Sequence, residues 1–356
     1  DTLIGIFDIR GSDFNDVFFA DNSWDLGLFG SAEQNNYAEF EGRGGDDEIT
    51  GNGNTRVSYR TASDSVTVDL ATGAFSTNPG DTAGIGTDTF LGGVTQVRGS
   101  NFNDFLTGTA ADNESFRGQG GADTIDGGAG SGDRADYFNS PDGVDVDLIT
   151  GVAVDGFGTT DSLTGIENIR GSENDDNLRG DSGVNKLDGR DGNDFLRGRG
   201  GEDLIDGGDG RDWADYRGAP TTVVVTLTDT TGSGHTGGSS TGAHGNDTLI
   251  DIESIRGGDG DDALTGNASS NFLRGGLGAD ALDGRDGFDF ADYSDATTGV
   301  TANLANSGLN AGEAAGDTYA NLEGLRGSDF ADTLVGDAGD NRLDGRDGGD
   351  ALDGGS

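Results

Sequence analysis

Residues Gly189–Asp212 read GRDGNDFLRGRGGEDLIDGGDGRD. Glycine, aspartate and arginine dominate, with one apolar residue dropped in at intervals. The stretch splits into blocks of nine, and the blocks continue on both sides. Gly171–Arg179 is GSENDDNLR, Gly180–Asp188 GDSGVNKLD, Gly189–Arg197 GRDGNDFLR, Gly198–Asp206 GRGGEDLID and Gly207–Asp215 GGDGRDWAD. Glycine opens each block, position 6 is Asp or Asn, and position 8 is Leu, Ile or Ala. A fixed short period of this kind is the mark of a solenoid.

The register returns along the chain. GSDFNDVFF at Gly11 and GRGGDDEIT at Gly42 flank an inserted ADNSWDLGLF. GSNFNDFLT and GQGGADTID lie within Gly99–Asp126, around an irregular GTAADNESFR whose column residue reads as Asn113. Gly257–Asp292 holds four blocks and Gly327–Asp353 three. A longer period of 77 to 79 residues separates Tyr59, Tyr137, Tyr216 and Tyr293, each closing an array. After each Tyr comes a strand-like alternation (VTVDL, VDVDL, VVVTL, VTANL) and then a Gly-rich loop. A second strand signal leads into the next array: DSLTGIENIRGS at Asp161, DTLIDIESIRGG at Asp247 and DTYANLEGLRGS at Asp317. The intervening segments have room for about two further coils and a loop. The expected architecture is therefore one continuous solenoid over 1–356, with approximate units 1–59, 60–137, 138–216, 217–293 and 294–356. Both ends cut through a repeat, which predicts a fragment of a longer protein. Without an initial Met, a leader stays open.

The chain has 356 residues, a net charge of −45 and 69 glycines. High charge with few apolar residues ordinarily means disorder, so either the chain is unfolded or something external neutralises it. The acidity excludes nucleic acid and anionic membrane surfaces as partners. No apolar run approaches the ~20 residues of a membrane span. There is no cysteine, hence no disulfide and no thiolate metal site.

Six turn residues followed by three strand residues account for the block. In a three-residue strand position 8 faces inward while 7 and 9 face out. One strand reverses per block, so blocks n and n+2 stack on one edge, about 4.8 Å apart. That places Asp176, Asp194 and Asp212 in one column and Asn185 and Asp203 in the opposite one. Stacked, partly desolvated carboxylates repel and need a cation. Oxygen donors in a flexible cage suit Ca2+ better than Mg2+, and zinc lacks its usual His or Cys ligands. The candidate metal ligands at position 6 are Asp16, Asp47, Asp104, Asp123, Asp176, Asn185, Asp194, Asp203, Asp212, Asp262, Asn271, Asp280, Asp289, Asp332, Asn341 and Asp350. Asn offers an oxygen without charge, so the turns of Asn185, Asn271, Asn341 and Asn113 are expected to bind calcium more weakly. GNGNTRVSY at Gly51 lacks the aspartate and is expected to hold no ion.

These tandem blocks resemble the calcium-binding nonapeptide GGxGxDxUx of the RTX (repeats-in-toxin) family. They and their degenerate copies cover about half of the chain. The resemblance implies an all-β, right-handed parallel β-roll or β-helix solenoid. It also implies multiple Ca2+ ions between turns n and n+2, held by position-6 carboxylates and by carbonyls near positions 2 and 4, with Gly192, Gly201, Gly210, Gly260, Gly278, Gly287 and Gly348 as candidates. It further implies a bacterial protein exported by a type I system that folds on meeting extracellular calcium.

Other motifs point elsewhere less well. RGDS at Arg179–Ser182 spans a block boundary. His235 and His244 share one Gly/Ser/Thr-rich insertion and suit a solvated loop better than zinc. Trp24, Phe18 and Phe19 suit an irregular array end better than a sugar-stacking patch. The arginine of the recurring RG(S/G), at Arg10, Arg98, Arg170, Arg256 and Arg326, is expected to pair with carboxylates. No nucleophile elbow, HExxH or P-loop is present, so catalysis is not expected. The function expected is a calcium-binding structural module of a secreted, extracellular or cell-surface protein: an adhesin, biofilm-matrix or surface-layer segment. The alternative is the calcium module of an exoenzyme or toxin. Expected partners are calcium ions, other copies or cell-surface polysaccharide, with no nucleic acid and no membrane insertion.

Overall fold

Three residues are the usual length of a strand here, because glycine turns interrupt the chain on both sides. The computed structural model describes residues 8–20, 37–229, 237–242 and 244–355. Apart from two 3-10 turns it contains strands and turns only, with no α-helix among the described residues. It forms two compact units, 1–173 and 174–356.

In the first unit, Asp8–Arg10 pairs in parallel with Ala38–Glu41, followed by Thr55–Ser58, Val94–Arg98, Ser115–Arg117, Arg134–Asp136 and Asn168–Arg170. The facing row includes Val17–Phe19 beside Glu48–Thr50, and Phe105–Thr109 beside Thr124–Gly128. In the second unit one row runs in register from Asn177–Arg179 through Phe195–Arg197, Trp213–Asp215, Ser254–Arg256, Phe272–Arg274, Phe290–Asp292 and Gly324–Arg326 to Arg342–Asp344. Opposite it, Lys186–Gly192 pairs with Leu204–Gly210.

Position 8 builds the core. Leu178, Leu187, Leu196, Ile205, Ala214, Leu264 and Leu273 are all buried, as are Ile49, Leu106, Phe116 and Ile125 in the first unit, and Leu249 and Ile255 of the lead-in strands are buried in the same rows. Parallel register stacks them like on like: Leu187 on Ile205, Leu196 on Ala214. Burying each such side chain contributes about 1.5–3 kcal/mol. That is enough to hold coils together but not to overcome buried like charges.

The segments after Tyr59, Tyr137 and Tyr216 are not two plain coils and a loop: an antiparallel strand is inserted between strands that stay in the parallel rows, as Thr87–Phe90 does beside Glu48–Thr50 and Val66–Asp69 beside Phe105–Thr109. Val66–Asp69, Gly73–Ser76 and Thr87–Phe90 are antiparallel neighbours, as are Asp145–Asp147, Val152–Val154 and Thr160–Thr164. Val223–Thr228, Gly237–Gly242 and Thr248–Ile250 repeat the arrangement. The reason is local. In the D-L-x-T-G stretches the aspartate folds back on the turn, with Asp69 Oδ1 accepting from Ala71 N–H at 2.8 Å and Asp147 Oδ1 from Ile149 N–H at 3.0 Å. That reverses the chain within a few residues, as hairpins require.

The recurring arginines do pair with carboxylates: Arg10 with Glu41, Arg98 with Glu39, Arg170 with Asp136, Arg256 with Asp295 and Arg326 with Asp344. Phe18 stacks on Phe40 in the core, ring centroids 5.1 Å apart, while Phe19 is exposed. Trp24 and His235 lie outside the described residues.

Candidate metal centre

Every array is lined by a ladder of side-chain-to-backbone hydrogen bonds. Asp176 N–H donates to Asp194 Oδ1 and Asp194 N–H to Asp212 Oδ1, both at 2.8 Å. On the other edge, Asn185 N–H donates to Asp203 Oδ1 at 2.9 Å. The same bond links Asp16 to Asp47, Asp104 to Asp123, Asp262 to Asp280, Asn271 to Asp289 and Asp332 to Asp350. Thus the structure stacks position 6 of block n on position 6 of block n+2, in the columns expected from the spacing.

What the second side-chain oxygen does divides the turns into two kinds. In closed turns it accepts from the N–H of position 2 in its own block. Asp16 takes Ser12, Asp104 takes Ser100, Asp262 takes Gly258 and Asp332 takes Ser328, at 2.6–2.7 Å. Asn185, Asn271 and Asn341 likewise accept from Asp181, Asn267 and Asp337 through their one side-chain oxygen. In open turns position 2 is left-handed and its N–H points elsewhere. Arg43, Gln119, Arg190, Arg199, Gly208, Gly276, Arg285 and Arg346 all have φ between +62° and +99°. Position 4 is left-handed in the same turns, at Gly45, Gly121, Gly192, Gly201, Gly210, Gly278, Gly287 and Gly348. Only glycine adopts such angles without strain. Gly260, the remaining candidate carbonyl donor, belongs to a closed turn.

Open turns leave carboxylate oxygens stranded. Oδ2 of Asp47, Asp123, Asp133, Asp194, Asp203, Asp212, Asp280 and Asp289 is buried and accepts no hydrogen bond. A buried anionic oxygen without a partner is costly. Desolvation, ahead of every other influence, pushes Asp194 up to about 8, Asp280 to about 8 and Asp123 to about 9. Asp203, Asp212 and Asp289 are raised to about 7 and Asp47 to about 6, again by burial first.

The oxygen lies in a cradle. A Cβ on Gly189, which opens the Asp194 block, would fall on Asp194 Oδ2 and within 2.7 Å of the Gly207 carbonyl of the next coil. Glycine at position 1 is thus required by the space the carboxylate occupies. Among the described residues no three His, Cys, Asp or Glu side chains converge on one point. A cation here would be held by a carboxylate and backbone carbonyls. That donor set suits Ca2+, which takes 6–8 oxygens at 2.3–2.6 Å.

The RTX calcium-binding nonapeptide repeat, in its four-copy form, matches residues 98–132, 161–196, 179–214, 256–291 and 326–356. The chain carries RTX calcium-binding nonapeptide repeats. No curated protein matches it. The matched repeat is a calcium-binding one, and the open turns are where this chain presents unsatisfied oxygen.

Sequence reasoning missed how the columns end. Asp47 N–H donates to Asp88 Oδ1, Asp123 to Asp161, Asp203 to Asp247 and Asp280 to Asp317. The second oxygen of three of these accepts from a periodic tyrosine: Tyr59 to Asp88 at 2.8 Å, Tyr137 to Asp161 at 3.2 Å, Tyr293 to Asp317 at 2.7 Å. At Asp247 the Ser240 hydroxyl donates instead, at 2.9 Å. Tyr59, Tyr137 and Tyr293, three of the four tyrosines that mark the long period, are therefore caps. Glu114, not Asn113, occupies the column in the irregular block, closed by Thr109 N–H, and its own N–H donates to Asp133 Oδ1. The signal was available: Asp and Glu recur six residues apart in DSLTGIE, DTLIDIE and DTYANLE.

RGDS is part of a closed turn, where Asp181 Oδ1 accepts from Gly183 N–H. His244 is half-buried and its pKa is lowered by burial. In Gly51–Tyr59, Thr55 stands where a carboxylate would, its Oγ1 accepting from Asn52 N–H.

Proposed function

We propose that this chain is a calcium-gated structural module of a secreted bacterial protein, ordered outside the cell and without catalysis of its own. The observation that carries the reading is the set of buried, unpartnered Oδ2 atoms in glycine cradles. Without a cation these oxygens oppose the packed coils. With one, binding free energy becomes folding free energy. Extracellular calcium modules work at ~10⁻⁴–10⁻³ M, far above cytosolic calcium. The chain would therefore stay expanded inside the cell, pass through a type I exporter unfolded, and set on exit. Repetition of the same carboxylate turn in every array, rather than one singular site, favours a spacer in an adhesin, biofilm matrix or surface layer over an exoenzyme module.

Circular dichroism during a calcium titration tests this. The expected course is weak β signal in EDTA and a cooperative rise at about 0.1–1 mM calcium, the order expected for such modules. A chain already fully β in EDTA at neutral pH would refute the gating.

A further inference from the structure

Three places share a geometry outside the nonapeptide. Asp133, Asp212 and Asp289 occupy the last open turn on one edge of their arrays. The N–H of each donates to a glutamate on the next coil: Asp133 to Glu167 Oε2, Asp212 to Glu253 Oε2 and Asp289 to Glu323 Oε2, all at 3.0 Å. The aspartate's carbonyl accepts two N–H groups in return, from that glutamate and the residue after it. Asp133, Glu253 and Glu323 lie outside every stretch matched by the RTX repeat.

Two features make these more than acidic pairs. First, Asp133, Asp212 and Asp289 are all fully buried, and the Oδ2 of each accepts no hydrogen bond. Second, a carbonyl is turned into the same space. The residue two before each glutamate has positive φ: Gly165 at +60°, Asp251 at +48° and Asn321 at +50°. A Cβ on the opening glycine of the turn (Gly127, Gly207 or Gly284) would meet both that residue's carbonyl oxygen and the aspartate side chain. Left-handed backbone at non-glycine residues carries strain; the conformation recurs at equivalent positions of three segments, and at two of them, Asp251 and Asn321, the residue is not glycine.

The opposite edge is a natural control. Asp123, Asp203 and Asp280 also bury a bare Oδ2. However, the atoms nearest a Cβ on their opening glycines, Gly118, Gly198 and Gly275, all belong to the aspartate's own side chain, with no next-coil carbonyl among them. The next carboxylate there is already capped by Tyr137, Ser240 or Tyr293.

We propose that Asp133–Glu167, Asp212–Glu253 and Asp289–Glu323 are three array-terminal calcium sites, each built from two carboxylates of successive coils and one left-handed carbonyl. This rests on the calcium reading above and extends it to residues the repeat does not include. Two carboxylates and a carbonyl are hard oxygen donors, and their net charge calls for a divalent ion. Each site ends its column on one edge only, so the two edges of an array bind different numbers of ions.

The test is calcium stoichiometry of the full chain by calorimetry and equilibrium dialysis. Glu167→Gln, Glu253→Gln and Glu323→Gln together keep the oxygen that accepts the ladder N–H and remove the charge. The triple variant is expected to bind three fewer ions per chain, and each single variant one fewer. Asp247→Asn with Asp317→Asn should leave the count unchanged. A folded triple variant with the wild-type count overturns the proposal, and so does one that loses calcium altogether. Should the wild-type chain bind no calcium, the underlying reading fails, which is a separate result.

Discussion

The N–H of Asp194 donates to Oδ1 of Asp212, one coil further along the same edge, over 2.8 Å. One carboxylate thus does two jobs: Oδ1 holds the preceding coil, while Oδ2 is kept bare. Asp212→Asn retains an acceptor for Asp194 and should fold in calcium with weakened affinity. Asp212→Ala removes it, leaves a buried N–H unpaired, and should cost about 1–3 kcal/mol beyond the lost ion. Denaturant titration of both variants in saturating calcium separates the two jobs. Equal loss in Asn and Ala would mean the ladder bond contributes nothing.

Acidity should substitute for calcium. An unfolded aspartate titrates near 3.9, whereas burial raises Asp194 and Asp280 to about 8 and Asp123 to about 9 in the fold. A raised carboxylate pKa favours the folded state at low pH, and that contribution disappears as pH climbs from ~4 through the folded values. In EDTA the β signal is therefore expected to be strongest at the acid end and to fall between about pH 4 and 9. In excess calcium it should be flat across neutrality. A metal-free chain that gains order with rising pH contradicts this.

Asn185 is expected to be silent. Its side-chain oxygen already accepts from Asp181 N–H at 2.8 Å, in a turn closed on itself. Asn185→Asp should leave the number of bound ions unchanged, a departure from the expectation drawn from charge alone. An added ion in dialysis would show that charge, not turn conformation, decides occupancy.

The tyrosine caps should matter with or without calcium. Tyr293 donates to Asp317 at 2.7 Å and contacts the Tyr319 hydroxyl at 2.6 Å, in a buried pocket. Tyr293→Phe strands a carboxylate oxygen and should destabilise by about 1–3 kcal/mol without changing ion count. Melting curves in calcium, with stoichiometry measured alongside, check both halves.

Columns, inward Leu and Ile, and the all-β class were legible because a strict period of nine leaves few ways to stack. Asp176, Asp194 and Asp212 could be placed on one edge from spacing alone. The difference between open and closed turns was not legible in composition. GGDGDD at Gly257 and GGDGRD at Gly207 differ by one residue, yet Gly208 is left-handed and Gly258 is not. Gly208 packs against the Arg190 backbone of another nonapeptide turn, whereas Gly258 packs against Tyr216 and Ala219. Nor did the strand pattern of DTLIDIE and its relatives disclose that Asp247 and Glu253 end two columns, since one-sided carboxylates also suit a solvated strand face.

The position-6 ladder bonds described above all point one way, from an earlier coil's N–H to a later coil's carboxylate. Bonds at the neighbouring position 5 run back, as from Asn193 N–H to Asp175 Oδ1. At position 6 a coil therefore depends on its successor in the sequence. A chain delivered amino end first always carries one unpaired position-6 amide at its growing tip. Delivered carboxyl end first, every such amide meets its carboxylate on arrival. Trimming repeats from the two ends should accordingly be unequal at this position: loss at the carboxyl side frees the position-6 amide proton of the coil left behind, and loss at the amino side leaves it paired, as hydrogen exchange would read.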